Sequence, residues 1–450
     1  MSTMTDKLSL KERVSYGMLD VAGNLAYCFS STYILYYFTD VAGLAVAATG
    51  TLLLLSRIID GIDAPIWGLI IDKTHSKYGK CRPWFLWLPI PFAILGTAVF
   101  YSPETTMNMK ILYAGITYLL FNISFTGLNT PLTAILPLLT KSPSERLVLN
   151  SFRMVGGQLG YLLMNVLAFP LVALLGAGDD KTGFLLTAAI FGFISVLLQF
   201  YAFFNLREQD TENLEKEPKV PLKDSFKAAK GNWPWIIMVV ANLFFWIGMM
   251  ARNSMVVYYL SYNLDMKDMV AFVNSMASAG ILSIIAIPFI CKFISKRSTW
   301  IIGLIMAIIG EILIFLAGAN IYIMIIGWVI SNLGSMIACS MPFAMLGSAV
   351  DYGEYKTKVR SAGFLTAFGS TFCIKAGSGL GTAISAWIIA AAGYIPNQVQ
   401  SIDSLNGIVF AFIWFPVSMF LLAAIPLLFY KKYEKMEAEI RLELIKRNSI

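Results

Sequence analysis

Long apolar runs separated by short polar breaks repeat along the whole chain. A helix needs about 20 apolar residues to cross a bilayer core, and runs of that length predict spans near 14–38, 45–71, 83–102, 110–130, 150–174 and 183–206. The stretch REQDTENLEKEPKVPLKDSFKAAKGN (207–232) then breaks the pattern; rich in Lys, Glu and Pro, it cannot sit in hydrocarbon and reads as a central linker. Six more spans follow near 233–261, 268–291, 299–317, 320–348, 362–393 and 405–430, and the end, KKYEKMEAEIRLELIKRNSI, has the look of an amphipathic helix. The predicted fold is an all-α integral membrane protein with twelve transmembrane helices in two six-helix bundles, residues 1–206 and 233–430, joined by the linker 207–232 and closed by a tail over 431–450.

Composition supports the membrane class. Residues are 57% hydrophobic and only 14% charged, against about 25% charged in soluble domains. The net charge of +7 takes its meaning from sidedness: of 34 Lys and Arg, 27 fall on the side shared by both termini and only Lys110, Lys181 and Lys267 on the other. By the positive-inside rule, both termini and the linker are expected in the cytoplasm of a cell (inner) membrane, and no nucleic-acid partner is needed to explain the charge. The N-terminus has no short apolar stretch with a small-residue cleavage site, so no cleaved signal is expected. Five cysteines without CxxC spacing and a single histidine, His75, indicate neither a disulfide framework nor a metal cluster. No nucleophile with a base at useful spacing and no phosphate loop occur, so an enzyme is not expected.

Four positives remain inside spans: Arg57, Arg153, Arg252 and Lys375. The densest polar feature is in the second span, where Arg57, Asp60 and Asp63 stand at i, i+3 and i+6 and therefore stack along one helix face. A charge at bilayer depth costs about 2.5–3.5 kcal/mol on insertion scales and persists where it faces a protein interior or a water-filled path. That face is the leading functional candidate, its bland alternative being simple neutralisation of Arg57. Arg252 and Glu311 read more readily as members of a structural ion pair.

Two six-helix halves around a midplane site are the layout of major facilitator carriers. The segments YYFTDVAGL (36–44), SRIIDGIDAPIWGLIID (56–72), SKYGKCRPW (76–84), PSERLVLNSFR (143–153), DYGEYKTKVR (351–360) and GYIPNQVQ (393–400) closely resemble the glycoside/pentoside/hexuronide:cation symporters of that superfamily. The resemblance implies cation-coupled import of a glycoside, pentoside or hexuronide by alternating access, without a cofactor, and with H⁺ and/or Na⁺ as the co-transported ion. It implies a cation site at Asp60, Asp63 and Thr126. Melibiose-type members carry a second acid at the position of Ala64, so here that acid has moved by one place. The implied sugar site is Asn24, Asn129, Arg153, Lys375 and Thr371; the two asparagines stand where melibiose-type members have acids, and Thr133 where they have a tryptophan, while Asp20, one turn before Asn24, reads equally as a further site residue or as a helix-packing partner.

Asp72, Lys77, Lys80 and Arg82, together with Asp351, Glu354 and Arg360 of the 351–360 loop, are candidates for a cytoplasmic salt-bridge latch. The expected partners are a small sugar, the coupling cation and the lipid bilayer, with the chain acting as a monomer. A lysophospholipid-type lipid carrier and an uncoupled sugar facilitator are the alternatives; the compact polar set suits a polyol better than an acyl chain. Replacing two acids by Asn24 and Asn129 leaves Arg153 and Lys375 without those partners, which an acidic substrate, Asp20, or Asp60 and Asp63 would offset. A neutral glycoside and a hexuronide therefore both stay open.

Overall fold

In a computed structural model, described for residues 8–140, 142–208, 229–358 and 361–448, the chain is built from helices. In order they are α1 Leu10–Tyr36, α2 Val46–Asp72, α3 Trp84–Trp87, α4 Pro89–Val99, α5 Met107–Ala134, α6 Leu136–Leu139, α7 Pro143–Gly176, α8 Asp180–Asn205 and α9 Trp233–Tyr258. They continue with α10 Val270–Met276, α11 Gly280–Phe293, α12 Lys296–Ala317, α13 Ile321–Thr357, α14 Ala362–Ala367, α15 Cys373–Ala391, α16 Ile402–Val409, α17 Phe415–Phe429 and α18 Lys431–Asn448. Among the described residues nine helical stretches are long and apolar enough to cross a membrane. The remaining three expected spans are helical too but depart from a plain apolar helix. α1 is polar near its start, α2 carries Arg57, Asp60 and Asp63, and the 83–102 span is two helices because Pro89 has no N–H to continue a helical ladder.

Other boundaries also shift, for identifiable reasons. α7 starts at Pro143 rather than near 150: Ser142 caps it by accepting from the Glu145 N–H, and Pro143 fills the first turn, where no donor is missed. The segment expected as a loop before Arg153 is therefore helical. Likewise α13 runs to Thr357, so Asp351 and Glu354 are on a helix and not in a loop; charged residues end an apolar span without ending the helix, which stops at Lys358 in the left-handed region, φ 58°.

The chain clusters into two compact units. The first comprises Met1–Leu214 with Met266–Ser275 and Ile395–Gln398; the second comprises Glu215–Asp265, Met276–Tyr394 and Val399–Ile450. In the first, Tyr16, Leu19, Ile71, Phe85, Leu132 and Phe203 form a buried core at one end of the bundle. The two short later segments join this unit through Asn274 Nδ2 donating to Tyr33 Oη (2.9 Å), Lys267 Nζ to Asp180 Oδ2 (2.6 Å) and Asn397 Nδ2 to the Asp40 carbonyl (2.5 Å). Close approach of α1 and α7 depends on glycine. A Cβ on Gly156 would lie 2.2 Å from the Gly17 carbonyl oxygen, and one on Gly157 would lie 3.0 Å from Asp20 Oδ2, so small residues let the polar face of α1 abut α7.

In the second unit a core around Trp235, Phe245, Trp300, Met341 and Phe420 extends to Tyr433, Ile440 and Leu444 of α18. The tail helix is thus packed through one apolar face, as its sequence pattern predicts. Tyr433 Oη donates to the Ser348 carbonyl (2.6 Å) and Ser348 Oγ to Glu437 (2.7 Å), which ties α18 to the charged end of α13.

Candidate transport site

Asp60, Asp63, Arg57 and Thr126 are all buried, at 3%, 7%, 9% and 6% exposure. The i, i+3, i+6 spacing puts the three charges on the inner face of α2, and packing of α2 on α5 brings Thr126 to them. Trp67 Nε1 fixes that packing by donating to the Ile123 carbonyl at 2.9 Å. Thr126 Oγ1 then donates to Asp60 Oδ1 at 3.1 Å, while Arg57 Nη1 lies 3.6 Å from Asp60 Oδ2. The guanidinium has a second anchor. It hydrogen-bonds Tyr27 Oη and sits over the Tyr27 ring, 5.6 Å from its centroid, and that ring stacks on Phe125 at 3.8 Å. Tyr27 and Phe125 were not legible as site residues, since aromatics abound in this chain and only the partner helix shows which one meets Arg57. The arrangement gives Asp60 both a hydroxyl donor and a fixed cation, so charge at this depth is compensated inside the protein.

A second polar cluster joins α1, α5 and α7. Arg153 is its centre: Nε lies 3.5 Å from Asp20 Oδ2, Nη2 donates to Asn129 Oδ1 at 3.4 Å and Nη1 to Thr133 Oγ1 at 3.4 Å. Asn24, one turn on from Asp20, donates to the Asp20 carbonyl (2.9 Å) and accepts from Cys28 Sγ (3.5 Å). Asp20 and Arg153 keep about a fifth of their side-chain surface open, 18% and 22%, so the cluster borders accessible space, unlike the cluster on α2. Four of the six expected sugar residues, Asp20, Asn24, Asn129 and Arg153, are therefore brought to one place, and Thr133 joins them.

This chain matches the model of the family described as MFS/sugar transport protein over residues 15–433. The chain belongs to the MFS/sugar transport family. It is 36% identical over 442 residues to the isoprimeverose transporter of Lactiplantibacillus pentosus, covering 97% of this chain and 92% of that one. It is 28% identical over 454 residues to the putative glycoside/cation symporter YagG of Escherichia coli, covering 98% and 96%. Among solved structures, a bacterial homolog of the human lysosomal transporter Spinster in an inward-facing and unoccupied conformation superposes with a TM-score of 0.69 at 14% identity, covering 96% of this chain and 99% of that one. The fold is accordingly the all-helical major facilitator fold of a multi-pass membrane protein, and the protein is a transporter rather than an enzyme.

In this family member the other two expected sugar residues belong to the second unit. Lys375 is partly buried on α15, and Thr371 is exposed in the short π-helix Phe368–Phe372 that leads into it. The same unit contains the pair Arg252 and Glu311, both at 0% exposure and 3.4 Å apart. Ser331 Oγ donates to Glu311 (2.6 Å), Arg252 Nη2 donates to Asn332 Oδ1 (2.8 Å), and the guanidinium lies over the Trp328 ring at 4.6 Å. This is the geometry of a structural ion pair, closed on all sides by α9, α12 and α13.

Of the latch candidates, the Asp72 side chain and Arg360 lie outside the described residues. Lys77 lies over the Tyr78 ring at 5.0 Å, and Asp351 and Glu354 are partly buried near the end of α13. The loop containing Lys80 and Arg82 has a ligand that sequence reasoning missed. Glu208 accepts from the backbone N–H groups of Lys80 (2.8 Å), Cys81 (2.8 Å) and Arg82 (2.7 Å). Gly79 makes room for it: with φ +102°, a Cβ there would lie 2.5 Å from the Glu208 carboxylate. Arg82 also packs over Phe203 (5.1 Å) and donates to its carbonyl (2.9 Å); burial pulls its guanidinium below the ordinary value while the Glu208 charge opposes that shift. Cys81 is 1% exposed beneath this clamp.

Proposed function

We propose that the protein is a cation-coupled symporter that imports a neutral glycoside by alternating access. The observation that carries the choice of a neutral sugar is the 3.5 Å pair between Asp20 and Arg153. With a carboxylate already beside it and two amide or hydroxyl oxygens on its other nitrogens, Arg153 has less need of an anionic substrate. The remaining capacity of Asn24, Asn129 and the guanidinium suits hydroxyl groups, which both donate and accept. Similarity to an isoprimeverose transporter supports the same substrate class.

Asp60, Asp63 and Thr126 bind the coupling ion in this reading, Lys375 and Thr371 contribute to the sugar site, and both termini lie in the cytoplasm. A proton suits the α2 cluster better than Na⁺ alone. Na⁺ needs several oxygens at once, whereas the oxygens of Asp60 already accept from Thr126 and face Arg57; a proton needs only one carboxylate. Coupling follows from linkage, in which cation and sugar favour one state of the carrier and each raises the other's affinity by the same factor. The test is uptake of a panel of radiolabelled neutral glycosides and uronides by cells, with an imposed proton gradient, an imposed Na⁺ gradient, or neither. Accumulation of a neutral glycoside driven by the proton gradient is expected; accumulation of uronides alone, or flux indifferent to every gradient, would overturn the reading.

A further inference from the structure

α8 is apolar over most of its length, and Gln199 is an exception in its last third. The side chain is 2% exposed. Its Nε2 donates to Ser195 Oγ one turn earlier at 3.0 Å, and its Oε1 meets no hydrogen-bond partner among the described residues. Turned over, the amide would accept from the Ser195 hydroxyl and leave its NH₂ unmet, so one end of it lacks a partner in either orientation. Buried polar groups are nearly always satisfied by protein or by ordered water.

Gln199 lines a cavity of about 10 Å³ between α1, α3, α5 and α8. Two other polar side chains line it, Asp20 and Asn129, with Phe85, Phe125 and Leu132 among the apolar walls. A space of this size holds about one water, and a water is retained where two to four polar groups surround it. Three polar side chains around one such space meet that condition.

We infer that Gln199 is a positioning residue of the sugar site, which acts through one ordered water shared with Asp20 and Asn129. The water donates to the Asp20 carboxylate and to Gln199 Oε1, and it accepts from the Asn129 amide. It thereby holds Asp20 turned toward Arg153 and keeps the Asn129 oxygen directed at the same guanidinium. Gln199 touches no sugar in this account. Its effect reaches substrate through the Asp20, Asn129 and Arg153 cluster, and the inference rests on the reading of that cluster as the sugar site.

The experiment uses the full chain in proteoliposomes, with isoprimeverose as the probe and wild type as the control. Gln199→Met keeps length and volume but removes the polar end; Gln199→Glu keeps an acceptor at the same reach. For Gln199→Met the expected result is a KM raised about tenfold with Vmax, cation dependence and thermal midpoint unchanged, and for Gln199→Glu a KM closer to wild type. An unchanged KM in the Met variant, with or without a shift in its thermal midpoint, would show that Gln199 merely packs. A wild type that does not carry the probe would count against the transport reading instead. In that event a structure of the wild type at a resolution that shows ordered waters decides the inference by itself: density bridging Gln199, Asp20 and Asn129 supports it, and an empty cavity overturns it.

Discussion

Arg153 of α7 meets Asp20 of α1 at 3.5 Å, one helical turn before Asn24. Asp20 and Asn24 stand four residues apart on α1, and the helix rise of 1.5 Å per residue places them about 6 Å apart along the axis. Charge balance around Arg153 is therefore internal to this unit.

Asp20→Asn is expected to weaken a neutral glycoside about tenfold, roughly 1.4 kcal/mol, because Arg153 loses the group that fixes its orientation. The pair is about a fifth exposed, so the loss falls below the 2–5 kcal/mol or so that breaking a fully desolvated charge pair costs. The same variant should let a glucuronide compete where it does not compete in wild type, since the site has become net cationic. Competition binding with both ligands checks this, and glucuronide competition already strong in wild type would contradict it.

At the α2 cluster, Asp60→Asn and Asp63→Asn should each abolish accumulation against a gradient while exchange or downhill flux survives, because the residues proposed to hold the sugar in this unit lie on α1, α5 and α7. Thr126→Val removes a hydrogen bond to a charged group, worth about 1.5–3 kcal/mol. It should shift the cation dependence of uptake by roughly one to two orders of magnitude and leave counterflow intact. Concentrative uptake that persists in the Asp60, Asp63 double variant would remove the cluster from the mechanism.

The Arg252–Glu311 pair makes a stability prediction in place of a transport one. Removing a single partner, as in Glu311→Ala, leaves an uncompensated charge at 0% exposure, which costs about 3–5 kcal/mol. Arg252→Met combined with Glu311→Leu should recover most of that loss, since well-packed apolar groups often replace a buried pair without penalty. Thermal unfolding in detergent measures both; a double variant as unstable as the single one would argue that the pair does more than hold α9 to α12 and α13.

Glu208 and Gly79 predict a local opening. Gly79→Ala places a methyl against the carboxylate and strains a backbone at φ +102°, and Glu208→Gln removes the charge from three hydrogen bonds. Either change should expose the Cys81 thiol, raising its alkylation from near zero. If both termini are cytoplasmic, an impermeant maleimide should label it in inside-out vesicles and not in right-side-out ones. Labelling only in right-side-out vesicles would reverse the topology, and no labelling of either variant would show that Cys81 is shielded by something other than the Glu208 clamp.

The sequence by itself determined the membrane class, the approximate place of each helix and the family, because hydrocarbon imposes a length and a polarity on every span and those constraints are local. It also marked Arg57, Asp60, Asp63 and Arg153, since a charge in an apolar run is conspicuous whatever surrounds it. Helix ends were less legible: the starts of α7 and α4 depend on Ser142 capping and on Pro89, and the end of α13 on water tolerating Asp351 and Glu354 in a continuing helix. Partners were decided only by tertiary structure. Periodicity tells which residues share a face, but that Asp20 rather than Asn24 meets Arg153, that Tyr27 receives Arg57, and that Glu208 fills the loop at 80–82 depend on how far one helix sits along another. Those offsets are set by packing contacts such as Gly156 against Gly17, in which no charge takes part, so the polar pattern alone did not contain them.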